Sequence, residues 1–326
     1  ASLPASPRRY DLKAGLAEIA GAGGRVRIRE FDSFSGQFIS ASDLTIPPYG
    51  FHPGIRSLDL VEIEVIEGDA RVIAFGSNTT YPTGEFFYVP SVASPLEQRE
   101  VFAPATDGLL ASNCPPCERW RTDVWTTALP AVVFPFDVRA LFVNGSLDRS
   151  ADVRLFPPSR APRTTRYHEM IVGELRRATV PPWTDISLGL LRLTLPPHVV
   201  ASSRTHLGVL GAFASPLSRS ELPAGGGSVL HVEDHATLRT YLGVANLGSV
   251  RVDLAIVLYE GSGRELGRRA ISLEPLQLVH LPAGSIARSE VRNGRASLEF
   301  SGDAPLLFYG SVIDGRTGDS IYVPAQ

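Results

Sequence analysis

Lysine, methionine and cysteine are nearly missing from this sequence. Lys13 is the only lysine among 31 basic residues, Met170 is the only methionine, and the cysteines number two, Cys114 and Cys117. The skew from lysine to arginine is typical of a GC-rich bacterial genome and says little about chemistry. Charge of one sign is also missing in bulk. The net charge is −3 with no long run of either sign, so nothing is arranged to neutralise phosphates and nucleic acid is not an expected partner. No stretch approaches the ~18 apolar residues that a membrane-spanning helix needs. Helical periodicity is poor nearly everywhere; Leu12–Ile19 and Glu169–Arg177 are the best short candidates.

What the chain does have is a repeat. Glu64–Pro90 and Leu298–Pro324 align without a gap over 27 positions and share ten identities: Gly-Asp-Ala, Gly-Ser, Thr-Gly and Tyr-Val-Pro. Upstream, Ser35-Gly36 matches Ser262-Gly263, and Leu44, Ile46 and Pro48 match Ile271, Leu273 and Pro275. A more diverged copy lies between them. Trp120–Trp125 aligns with Leu238–Gly243, and Phe134, Phe136, Val138, Ala140 and Phe142 fall on Val250, Val252, Leu254, Ile256 and Leu258. Further on, Val200–Ser203 takes the place of Phe308–Ser311.

Each copy reads as strands. Val250–Leu258 alternates with period two, as a half-buried strand does. Glu260–Gly263 is a turn, and Leu306–Ile313 pairs with Ser320–Val323 across a glycine-bearing hairpin, Gly318 matching Gly84. The expectation is an all-β protein of three tandem antiparallel β-sandwich (Ig-like) units from an internal triplication. The boundaries are 1–91, a linker at 92–118 that carries Cys-Pro-Pro-Cys, 119–223 and 224–326. Glu100–Thr106 and Ser228–Asp234 look like added edge strands before the second and third units. The first unit is preceded only by Ala1–Tyr10, so its sheet is expected to end in an open edge.

Trp120-Arg-Thr-Asp123, Ser202-Ser-Arg-Thr205 and Ser311–Asp319 followed by Tyr-Val-Pro resemble a β-sandwich repeat of secreted proteins from GC-rich bacteria. There the repeat is an accessory module, often in tandem and beside catalytic domains. The resemblance implies fold and export and carries no site residues. The opening Ala-Ser-Leu-Pro-Ala-Ser-Pro is also similar to a mature end left by signal peptidase, although methionine trimming before alanine would look the same.

No catalytic constellation stands out. Cys114 and Cys117 lack the helix N-terminus that would activate a C-x-x-C thiol and lack further cysteines for zinc; a small-loop disulfide is expected. His231 and His235, four apart, lie ~13 Å from each other on a strand, too far to share a metal ion. Asp314 and Asp319 could flank calcium, but copy one has Thr80 and Glu85 there, and the shared feature is the turn. Glu62 and Glu64 read as the wet face of a strand. There is no G-x-S-x-G elbow. Asn78 and Asn144 open glycosylation sequons. Segments outside the repeat pattern are where a specific ligand would be sought, and one such loop holds Arg160, Arg163, Arg166, Tyr167, His168, Trp183 and Asp185.

These features point to a secreted or cell-surface structural protein without enzymatic activity or cofactor, such as a subunit of a filament, sheath or surface layer. Its expected partner is another copy of itself, head to tail through sheet edges. A carbohydrate-binding or adhesive module that contacts surface glycans is the alternative. A hydrolase with an unrecognised site comes third.

Overall fold

The computed structural model describes residues 10–31, 38–56, 60–80, 86–90, 97–106, 108–109, 119–128, 136–145, 147–155, 175–179, 188–207, 210–287, 289–316 and 320–326. Among these there is no α-helix. Single 3-10 turns occur at Arg219–Glu221, Ala224–Gly226 and Ala283–Ser285, and the remaining regular structure is antiparallel β-sheet. The all-β expectation holds. The helical candidate Leu12–Ile19 is instead largely strand, because pairing on both edges overrides its local spacing.

Two sheets come first. One holds β1 (Tyr10–Glu18), β4 (Phe51–Arg56), β6 (Val72–Thr80) and β7 (Phe86–Pro90) in the order β4-β1-β6-β7. The other holds β2 (Gly24–Phe31), β3 (Phe38–Ile46) and β5 (Leu60–Gly68) in the order β3-β2-β5. Leu16 on β1 packs against Val26, Ile28 and Ile46 between them.

The next pair repeats this order. β9 (Gly108–Leu109), β10 (Arg119–Ala128), β13 (Leu175–Thr179), β15 (Val199–Leu207) and β16 (Leu210–Ala214) form one sheet, ordered β13-β10-β15-β16 with β9 beside β10. β8 (Arg99–Ala105), β11 (Phe136–Asn144), β12 (Leu147–Leu155) and β14 (Gly189–Leu195) form the other, ordered β12-β11-β14-β8. Val138, Phe142, Leu191 and Leu193 meet Val124, Val199 and Ala201 in the core. The edge strand expected at Glu100–Thr106 is present as β8, inside the 92–118 stretch assigned to a linker. Its Pro104 is tolerated because β8 is at the sheet's edge, where a missing N–H costs little.

The last pair has the same plan. β17 (Ser228–Asp234), β19 (Val252–Tyr259), β20 (Glu265–Leu273) and β22 (Val291–Phe300) run in the order β17-β22-β19-β20. β18 (Leu238–Asn246), β21 (Leu278–Pro282), β23 (Leu306–Asp314) and β24 (Ser320–Pro324) run in the order β21-β18-β23-β24. Leu254, Ile256, Leu258 and Ala296 face Leu242, Val244 and Phe308. Each such side chain, fully buried, contributes about 1.5–3 kcal/mol of transfer free energy.

The registers of the central pairs β1–β6, β10–β15 and β18–β23 match residue for residue. Phe75 pairs with Pro90 in the first hairpin and Tyr309 with Pro324 in the last, the offset read from the sequence. Two details differ from the sequence alignment. In β5, Ile66 bulges between Val65 and Glu67, so Ile63 instead of Glu64 stands in the place of Leu298. In the middle pair, Trp120 opposes Leu207 as Leu238 opposes Asp314, which puts Ala201, not Val200, in the place of Phe308. A one-residue slip would have turned every side chain of β15 to the wrong face.

A further apolar cluster joins the middle and last pairs. Phe102, Val143 and Leu190 pack on Ala245, Leu247, Leu278, Leu307 and Tyr309. At its border the N–H of Gly145 donates to Leu276 O, and Phe102 and Leu217 exchange two backbone hydrogen bonds. Towards the first pair, β16 lies beside β7 as well as β24.

Candidate functional site

Most of the chemistry-bearing candidates are not brought together. Cys114, Cys117 and the loop with Arg160, Arg163, Arg166, Tyr167, His168, Trp183 and Asp185 lie outside the described residues, as does Asp319. His231 sits exposed at a bulge of β17 with φ 55°, while His235 lies 3.2 Å from Glu233. Asp314 accepts the Arg316 N–H at 2.8 Å, which closes the turn. Among the described residues no three His, Cys, Asp or Glu side chains converge as metal ligands, and no helix is long and apolar enough to cross a membrane.

Glu62 and Glu64 are held by Arg29, at 3.1 and 2.6 Å. Arg25 and Arg27 both reach Asp43 at 2.8 Å, and the Arg27 hydrogen bond holds that carboxyl below its ordinary range against the opposing effect of desolvation. The outer face of the β2 sheet is thus a ladder of exposed ion pairs, which solvent screens. Asn144 takes part in the junction between the middle and last sheets. Its amide donates to Leu188 O at 3.1 Å and its oxygen accepts the Leu278 N–H at 3.2 Å.

The polar side chains that are buried serve the fold. Thr240 is fully buried and holds β17: its hydroxyl donates to Glu233 O at 2.7 Å and accepts the Glu233 N–H at 2.9 Å. Thr122 stands at the same position of β10 and binds both backbone groups of Thr106, just past β8, at 2.8 and 3.1 Å. The equivalent residue of β1 is Leu12, which cannot make either bond. At the far end of the same strands, Asn246 and Glu18 occupy equivalent buried positions. Asn246 donates to the carbonyls of Val250 and Leu273 and accepts the Gly248 N–H. Glu18 accepts the N–H groups of Ala20, Gly21, Tyr49 and Arg71 at 2.8–3.2 Å. Desolvation raises its pKa, but the four donors together outweigh that and lower it to about 2.

The sheet edges differ in a way that matters. β14 is covered on its outer edge by β8, and β22 by β17. Among the described residues no strand pairs with the corresponding edge of β5. Val101, Ala105, Val229 and Val232 from the covering strands are fully buried, whereas Val65 on β5 is exposed. Setting the three strand orders side by side puts the expected open edge on β5.

No family model matches the chain, and no curated protein does. Among solved structures, the D431N mutant VP2 protein of infectious bursal disease virus, in derived T=1 particles, aligns at 13% identity with a TM-score of 0.14. The alignment covers 99% of this chain and 75% of that one. A score this low carries no argument about fold or function.

Proposed function

We propose that the chain is a secreted, non-catalytic structural protein of three tandem Ig-like sandwich units, and that it assembles with copies of itself into a filament, sheath or surface layer. The repeated strand orders and shared registers support three units derived from one. The observation that carries the assembly reading is the open edge of β5. Its equivalents in the other two units are each completed by a strand anchored through a buried threonine, and the first unit has Leu12 in that place. An open edge offers unpaired N–H and C=O groups that a strand from a neighbouring copy satisfies, and nine-residue β5 is long enough to make such a contact specific. Repeated head to tail, the contact propagates unless its rotation closes a ring.

Electron microscopy of native material, or of the purified chain at high concentration, tests the reading: polymers are expected. Removing residues 1–9, which end just before β1, should weaken polymerisation and leave the second and third units folded. A chain that is never polymeric in either preparation would overturn the assembly reading.

A further inference from the structure

The first and last units carry the same apolar row on the outer faces of the β1 and β18 sheets, and only the β18 row is covered. Backbone bonds fix the equivalence. The Ile19 N–H donates to Arg71 O and the Leu247 N–H to Pro305 O, both at 2.9 Å. Ala17 stands between Phe51 and Ile73 as Ala245 stands between Leu278 and Leu307. Tyr49 and Leu276 occupy the same turn, both left-handed, with φ of 54° and 57°. In the β18 sheet, Leu247, Leu278 and Leu307 are 0, 3 and 1% exposed, because the face of β8, β11 and β14 lies on them. In the β1 sheet the matching residues Ile19, Phe51 and Ile73 are 51, 61 and 47% exposed, and Tyr49 is 74% exposed.

The register puts Leu175 and Val200 of the middle unit in the places of Phe51 and Ile73, so all three units keep apolar residues at these positions. A sheet face keeps large apolar groups where something covers them. The exposed large hydrophobics elsewhere on the described chain, Phe38, Ile39, Val65, Leu230, Val250 and Ile321, lie on edge strands or in a turn.

We infer that the outer face of the β1 sheet, centred on Phe51 and Ile73, is the contact surface for a second copy of this chain, the two copies meeting through this same face by a two-fold rotation. The covering face used inside the chain, on β8, β11 and β14, is already occupied by the β18 sheet and has nothing left for a second acceptor. Among the side chains described, the sheet face that keeps this apolar row exposed on another copy is this one. Lys13 lies at the far end of the β1 row, so a two-fold arrangement over Ala17 sets no like charges against each other at its centre. Taking aromatic side chains at roughly 150–250 Å², the exposed parts of the four residues come to about 500 Å² per subunit. Two such faces give about 1,000 Å² in total, the lower end of a specific interface. This contact does not depend on strand addition at β5.

Sedimentation velocity on the full chain over a wide concentration range is the test. A reversible dimer is expected. Ile73→Asp should weaken it about a hundredfold, since one isoleucine is lost from each side, and Phe51→Ser should act in the same direction. Val250→Asp, at an exposed apolar residue in a turn of the last unit, should leave it unchanged. If the wild type polymerises, the measurement is made with Val65→Lys, which puts a charge on the β5 edge: residual dimers support the inference and monomers overturn it. A wild type that is monomeric throughout overturns it too, as does association that Ile73→Asp and Phe51→Ser leave unchanged. A dimer that never grows into a polymer would keep this inference and remove the filament reading.

Discussion

Gly243 and Tyr309 oppose one another across β18 and β23, and the tyrosine ring occupies the space a side chain at 243 would need. A Cβ there would stand 2.1 Å from the ring's Cζ. Gly15 and Phe75 repeat the arrangement between β1 and β6, at 2.2 Å. In the middle unit the pair is exchanged, with Trp125 on β10 opposite Ser202 on β15. One large and one small residue are kept at this crossing, while the strand that supplies each has changed.

Gly243→Ala should therefore destabilise the last unit by about 1–3 kcal/mol, the usual cost of forcing extra atoms into a packed site. Urea unfolding followed by far-UV circular dichroism measures it. Tyr309→Leu on top of Gly243→Ala should recover part of the loss, because it removes the ring that the new methyl meets. Additive losses in the double variant would show that the two residues do not share this space.

The outer repeats are legible in the sequence because both keep Gly-Asp-Ala, Gly-Ser, Thr-Gly and Tyr-Val-Pro at the same spacing, and Val250–Leu258 alternates cleanly. The middle register is not, because Ser202 replaces the aromatic residue that would have anchored the alignment. The bulge at Ile66 is hidden in a run of β-branched residues where one extra residue leaves the composition unchanged. β8 was legible as the edge strand expected at Glu100–Thr106, since Pro104 argues against a central strand but not against an edge. The open β5 edge was suggested by the short segment before Tyr10. The apolar face around Phe51 was not legible, because its residues come from separate strands and turns that only the fold aligns.

Thr240→Val keeps the side chain's shape and removes both of its bonds to Glu233. The Glu233 N–H and C=O lose their partner in a part-buried site, so a cost of about 1–3 kcal/mol is expected. Native-state hydrogen exchange should show β17 opening before the rest of its sheet. If β17 stays as protected as β22, the hydroxyl does not anchor it.

Acid should destabilise the molecule in two stages, set by two groups of opposite charge type. His280 on β21 is half-buried between the rings of Tyr241 and Tyr309, at 5.3 and 5.6 Å, and its buried Nε2 has no hydrogen-bond partner. Burial pushes its pKa down from 6.5 to about 4. The folded state therefore holds this ring neutral while the unfolded chain takes up a proton. The stabilisation is complete above pH 6.5 and is lost as the pH falls towards 4, by about 3 kcal/mol in all. Glu18 has a folded value of about 2 against 4.5 unfolded, so its contribution is complete above 4.5 and is lost between 4.5 and 2. Glu260, lowered to about 2 by its hydrogen bond to Arg264, adds to that second stage. Urea midpoints measured across this pH range should fall first for the last unit. His280→Phe, which fills the site without a titrating group, should flatten the curve between pH 6.5 and 4 and leave the second stage in place. Glu18→Gln should do the reverse. An unchanged upper slope in His280→Phe would mean that another group controls the first stage.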